Sequence, residues 1–278
     1  MMEIVIYAGN AGDRNERGMR GSVALGTAIA ERYGVPARIV GEAVPPVRGG
    51  WAEQLHAAMP NLLSLSQQVA ERLERDDGGL ILTMGRCAAS IATLPPIARH
   101  HPDVAIVWFD AHGDCNVPAT GDAAAANYLG GMVLTGAAGE WDTGLGRGLN
   151  LANVILVGAR DLDPPEQARI DSGQIVALPV GDGLAARLEQ ALRGRRVYIH
   201  LDCDVLDAGL LATEYQMAGG LGWAELREAF EMLALHRPVG LEIAEYEATW
   251  PDGTPSERSE LLVAIHPVLT ALQAAGRT

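Results

Sequence analysis

Hydrophobic and polar positions alternate along this chain in two rhythms. Short, nearly continuous apolar runs recur at 3–9, 37–42, 80–85, 104–111, 154–161, 175–180, 197–204 and 239–246. Their length and β-branched content predict eight strands. Apolar residues at successive positions predict burial on both faces. Longer stretches between them carry apolar residues on one helical face, most clearly over 62–75, 184–193, 223–235 and 257–274. Strands alternating with helices predict βαβ units. The expected fold is α/β, a single three-layer domain over 1–278 with an eight-stranded, mostly parallel sheet. The uncharged Gly/Ala-rich run from Ala123 to Gly139, which holds Asn127 and Thr135, predicts a loop leading into a helix.

Five of these runs end in polar clusters: Arg86-Cys87, Asp110-Ala-His112-Gly-Asp114, Arg160-Asp161-Leu-Asp163, Asp202-Cys-Asp204, and Glu242 with Glu245. In open α/β sheets ligands bind beyond the carboxyl ends of strands, so the chemistry is expected there. In extended chain, residues i, i+2 and i+4 share a face, which converges Asp110, His112 and Asp114 into a metal half-site. The alternative is a solvated loop of turn-forming acids. Asp202 and Asp204 likewise share a face and repel each other unless a cation lies between them. The alternative there is a helix-capping acid and a bystander; Asp207 is assigned to the following turn. Together the two clusters offer four carboxylates and an imidazole, a set suited to a pair of divalent ions such as Mn²⁺. Two ions about 3.5–4 Å apart can hold and activate water.

Composition narrows the classes. Of 278 residues, 48% are apolar, enough for a sizeable core, and the net charge is −14. Such an acidic chain disfavours nucleic acid and anionic membrane as partners and suits a cationic ligand or metal ions. All 21 basic residues are arginine. The absence of lysine excludes Schiff-base chemistry and the P-loop lysine. Cys87, Cys115 and Cys203 are too few and scattered for a disulfide framework. The start, Met1-Met2-Glu3, has no basic region of a secretory signal, and no run approaches the ~18 apolar residues of a membrane span. The expected compartment is the cytoplasm. Gly181-Asp-Gly183-Leu-Ala-Ala186, with Asp202 some 20 residues on, has the layout of a dinucleotide fingerprint. It ends in alanine and its acid belongs to the Asp-x-Asp cluster, so an ordinary turn before a helix is the better reading.

The strand-end motifs resemble those of the ureohydrolase (arginase/agmatinase) family. Trp108-Phe-Asp110-Ala-His112-Gly-Asp114-Cys-Asn116-Val-Pro118 is similar to the family's second metal-ligand motif, and His200-Leu-Asp202-Cys-Asp204-Val-Leu-Asp207 to its third. Val157-Gly-Ala-Arg160-Asp161-Leu-Asp163-Pro-Pro-Glu166 resembles the segment that holds a substrate amino group, and Gly240-Leu-Glu242-Ile-Ala-Glu245 the one whose last acid pairs with guanidinium. The resemblance implies a metal-dependent amidinohydrolase with two Mn²⁺ per chain. One ion would be held by Cys87, Asp110, Asp114 and Asp202, the other by His112, Asp110, Asp202 and Asp204. It also implies a proton-accepting Asp114, a guanidine-orienting Glu245, and a substrate amino acid held by Asn116, Asp163 and Glu166. The implied partner is a small guanidino amino acid, with a homo-oligomer open alongside a monomer.

Two departures stand out. Met84-Gly85-Arg86-Cys87-Ala88 replaces the family's Gly-Gly-Asp-His-Ser, so Cys87 stands at a ligand histidine. A thiolate matches Mn²⁺ poorly; the alternative is a buried core cysteine and a lost ion. Gly130, in Tyr128-Leu-Gly130-Gly-Met, stands where the family has a proton-shuttle histidine. Loss of a general acid, typically worth about 10²–10⁴-fold, harms a basic guanidine most. The pair of replacements, with the Ala-Thr-Leu-Pro, Tyr-Leu-Gly-Gly-Met-Val-Leu and Ser-Glu-Arg segments, resembles the family branch acting on Nω-hydroxy-L-arginine in antibiotic biosynthesis. That implies ornithine and hydroxyurea as products, or ornithine and urea from L-arginine. The alternative is a non-catalytic arginase-like binding module with a decayed metal site.

Overall fold

The computed structural model describes residues 2–75, 78–118 and 127–276. Its strands are β1 (Glu3–Tyr7), β2 (Ala37–Val40), β3 (Leu80–Thr83), β4 (Ala105–Phe109), β5 (Val154–Val157), β6 (Val176–Leu178), β7 (Val197–Asp202) and β8 (Gly240–Ala244). They form one sheet in the order β2-β1-β3-β8-β7-β4-β5-β6. Every pairing is parallel, so the expected mostly parallel sheet is wholly so. β3, β4 and β5 stop short of their polar clusters, whereas Asp202 is the last residue of β7 and Glu242 lies within β8.

The helices are α1 (Arg17–Tyr33), α2 (Trp51–Arg75), α3 (Ser90–His100), α4 (Val133–Ala138), α5 (Pro164–Asp171), α6 (Leu184–Leu192), α7 (Trp223–Ala234), α8 (Ser259–Ala264) and α9 (His266–Ala275). Alternate strand residues feed opposite cores. Val5, Leu82, Ile106, Trp108 and Tyr198 pack with α2, α3 and α4, whereas Ile4, Ile81, Val107, Ile199 and Leu241 pack with α1, α6, α7, α8 and α9. This is the period of two expected of a strand buried on both faces.

Where the helices differ from the expectation, the cause is local. α2 runs back from 62 through Pro60 to Trp51, because Leu55, Ala58, Leu62, Leu65 and Val69 keep one buried stripe across the proline. Of α3, everything from Ser90 to Ala98 is buried, so it shows no amphipathic period. The 257–274 pattern divides at Ile265, where His266-Pro267 starts a new helix. Of the run Ala123–Gly139, residues 123–126 lie outside the described residues. The remainder makes a 3₁₀ turn at Gly130–Met132 and then α4, which stops at left-handed Gly139 (φ 88°).

Candidate active site

The four central strands, β3, β8, β7 and β4, are neighbours in the sheet, and their carboxyl ends deliver the chemistry. Arg86 and Cys87 follow β3, Glu245 follows β8, Asp202 ends β7 with Asp204 in the next turn, and Asp110 to Asp114 follow β4. Asp114 (φ 48°) and Glu245 (φ 64°) both hold a left-handed backbone, uncommon outside glycine, at the points where the chain turns these acids into the site.

Two donor groups lie close enough to share an ion: Cys87, Asp110, His200 and Asp202; and Asp110, His112 and Asp204. In the first, Cys87 Sγ donates to Asp202 Oδ2 at 2.7 Å and lies 3.1 Å from His200 Nε2. Asp114 stands beside this group rather than in it. In the second, His112 Nδ1 is 3.2 Å from Asp110 Oδ1 and 3.1 Å from Asp204 Oδ2. The backbone also orients these acids: His112 N–H donates to Asp110, Ala111 N–H to Asp204 and Asp204 N–H to Asp202.

Electrostatics show what the site lacks. Burial, then repulsion from Asp204, raises the pKa of Asp110; burial and neighbouring acids likewise raise Asp114 and Asp202. Burial, then Asp202, pushes the Cys87 thiol well up. Burial opposes a charged His112, but its bonds to Asp110 and Asp204 outweigh that and push its pKa up to about 12. Asp114 Oδ2 is buried without a hydrogen-bond donor, while Asp204 Oδ2 faces His112 Nδ1 at 3.1 Å. An orphaned carboxylate oxygen beside converging O, N and S donors fits divalent cations, which would reverse these shifts.

A cavity of about 300 Å³ opens over this floor. Asn116 and Asp163 line one side, with Asn116 Nδ2 donating to Asp163 Oδ2 at 3.1 Å. Gly130 and Gly131 also line it, so no imidazole projects from that wall. Glu166 reaches the cavity, yet its oxygens accept the backbone N–H groups of Cys115 (3.1 Å) and Asp163 (2.9 Å). Its evident task is to start α5 and pin the metal loop to it. Asp207 caps a turn through Gly219, as expected, and Cys115 and Cys203 are core. Gly183 (φ 69°) opens α6 as an ordinary turn.

Several participants escaped the sequence reading. His200 stacks on Trp108 at 3.5 Å and bonds Glu242 at 2.7 Å; Ser90, Thr93 and Tyr198 also donate to Glu242. Glu242 thus lies inside the sheet, not at its edge with Glu245 as expected. Arg160, read as part of a strand-end cluster, is a clamp donating to the carbonyls of Gly158, Asp204, Val205, Leu206, Met217 and Ala218. Arg86 is wholly buried among acids, and Arg14, Tyr128 and Tyr215 form a second cavity wall. The spacing of Arg86 beside Cys87 was the one available signal.

The "Arginase family" profile matches residues 26–264. The chain belongs to the arginase family. It is an enzyme of the ureohydrolase class. This arginase-family protein is 36% identical to an N(omega)-hydroxy-L-arginine amidinohydrolase of Streptomyces lavendulae, over 95% of this chain and 94% of that one. Its fold is that of the arginase from Bacillus caldovelox (TM-score 0.78, 22% identity, covering 97% and 96% of the two chains). It is also that of a proclavaminate amidino hydrolase from Streptomyces clavuligerus (TM-score 0.71, 16% identity, covering 100% and 92%). Among the described residues no helix is long and apolar enough to cross a membrane.

Proposed function

We propose that this protein is a Mn²⁺-dependent amidinohydrolase that splits Nω-hydroxy-L-arginine into L-ornithine and hydroxyurea. The observation that carries the reading is the pair of donor groups on the cavity floor, in a chain 36% identical to a hydroxy-arginine amidinohydrolase. Cys87, Asp110, Asp114 and Asp202 would hold one ion, and His112, Asp110, Asp202 and Asp204 the other. The bound pair supplies Lewis acidity and water ionised near neutral pH. Every other task falls to the chain. Asn116 and Asp163 hold the α-carboxylate and α-amino ends, and Glu245, buried on the floor, orients the guanidine carbon. Asp114 Oδ2, which has no other partner, takes the proton of the attacking water. With Gly130 in the wall, the departing amine gets its proton from Asp114 or solvent, which suits the less basic hydroxyguanidine. The whole of 1–278 acts as one catalytic domain, working in the cytoplasm.

The test is ornithine formation from Nω-hydroxy-L-arginine, L-arginine and agmatine, side by side with added Mn²⁺. Hydroxy-arginine should exceed arginine by at least ~10-fold in kcat/KM, about 1.4 kcal/mol at the transition state. Agmatine, lacking the α-carboxylate, should be poorer still. Faster arginine or agmatine turnover overturns the substrate assignment; ornithine from none overturns the activity.

A further inference from the structure

Arg86 lies behind the cavity floor and does not line the cavity. Its side chain is 0% exposed. Nη1 pairs with Glu245 Oε2, while Nη2 lies 2.5 Å from Glu214 and 2.9 Å from Glu247. Nε faces Asp13 at 3.5 Å without bonding it. Arg17 takes the other oxygen of Glu247 at 2.6 Å. Glu245 Oε1 is engaged as well, accepting the Cys87 N–H at 3.3 Å. The acid on the cavity floor is thus already paired with a guanidinium, and that guanidinium belongs to the protein.

We propose that Arg86 is a specificity-determining residue: by occupying Glu245 from behind, it makes the cavity accept an uncharged guanidine head and refuse a guanidinium. The inference rests on the reading of the cavity as a guanidino amino-acid site. A guanidinium side chain stays charged throughout the working pH range. A cationic substrate head would have to share one carboxylate with Arg86 and would meet like charge across it. A second arginine repeats the message at the wall. Arg14 lines the cavity and lies over Tyr128 at 4.9 Å and Tyr215 at 5.8 Å. N-hydroxylation withdraws electrons and lowers guanidine basicity, so Nω-hydroxy-L-arginine can enter neutral and still accept orientation from Glu245. Arg86 touches neither substrate nor ion in this scheme and acts through Glu245, as a positioning residue.

The experiment compares kcat/KM for Nω-hydroxy-L-arginine and L-arginine in the wild type, Arg86→Met, Arg86→Lys and Glu214→Gln, all loaded with Mn²⁺. Arg86→Met should move the ratio toward arginine by at least ~10-fold, chiefly through a lower KM for arginine. Inhibition by L-norvaline, whose side chain carries neither guanidine nor charge, should stay unchanged in that variant. Arg86→Lys keeps the charge and should hold the ratio within about 3-fold. Glu214→Gln removes an acid that competes for Arg86 and should raise the hydroxy-arginine preference. Equal loss on both substrates in Arg86→Met means a purely structural role and overturns the proposal. If Arg86→Met does not fold, an unchanged ratio in Glu214→Gln overturns it. A wild type that cleaves both substrates equally also overturns it while leaving the amidinohydrolase reading intact. A wild type cleaving neither defeats that underlying reading itself.

Discussion

Two carboxylates give the sharpest test of the metal centre. Asp110 belongs to each group, and Asp202 bonds both Cys87 and the backbone of Asp204. Asp110→Ala and Asp202→Ala should therefore lose metal and turnover together, measured by elemental analysis of purified protein and by ornithine release. Retention of both ions in either variant would remove these residues from the site. Cys87 permits a subtler test. An imidazole at 87 would restore the ligand type that Mn²⁺ prefers. Yet His200 Nε2 lies only 3.1 Å from the sulfur, so the space is taken. Cys87→His with His200→Ser should hold more Mn²⁺ than Cys87→His alone, and equilibrium dialysis measures the difference. Equal metal content in the two would show that His200 does not crowd position 87.

At the scale of elements, the site depends on two close approaches made by glycine. A Cβ on Gly21, in α1, would lie 1.8 Å from the carbonyl oxygen of Tyr246, in the segment that carries Glu245 and Glu247. Gly21→Ala must push α1 off that segment. A destabilisation of about 1–3 kcal/mol is expected from overpacking, read as a lower denaturation midpoint, with a matching loss of kcat. Gly130 is the second. A Cβ there would meet the Tyr128 ring at 2.4 Å. Gly130→His should therefore help arginine turnover only when Tyr128 gives way. Gly130→His with Tyr128→Ala should narrow the hydroxy-arginine preference more than Gly130→His does, as steady-state kinetics on both substrates would report.

For the whole molecule, the dominant feature is uncompensated negative charge at the centre of the sheet. Asp110, Asp114 and Asp202 are buried, and their pKa values are raised by burial and then by a neighbouring acid, Asp204 for Asp110 and Asp202, and Asp110 for Asp114. Ions that bind the folded chain and not the unfolded one stabilise it by mass action, about 2.7 kcal/mol at a hundredfold excess over Kd. Thermal unfolding should shift upward with added Mn²⁺ and fall back on chelation, with the shift growing with the logarithm of free metal. A melting temperature indifferent to chelation would contradict the metal-centre reading.

The chain's own patterns determined the strands, the sheet edge that carries the chemistry, and the two acid clusters on it. These are local properties: spacing along the chain brings Asp110 beside His112 and Asp202 beside Asp204, whereas the left-handed turn at Asp114 (φ 48°) takes that acid out of the extended pattern expected of it. The all-round burial of α3 and the break after Ile265 were not legible, because periodicity is silent where every face is covered or where a helix restarts. The tertiary structure alone decided the partnerships between strands. His200 meets Cys87 across 113 residues and Arg86 meets Glu245 across 159. Those meetings exist because β8 lies between β3 and β7 in the sheet, an order that no local pattern encodes. It follows from how the crossover helices cover the two faces, and it turns an arginine beside a cysteine into the counter-ion of the acid on the cavity floor.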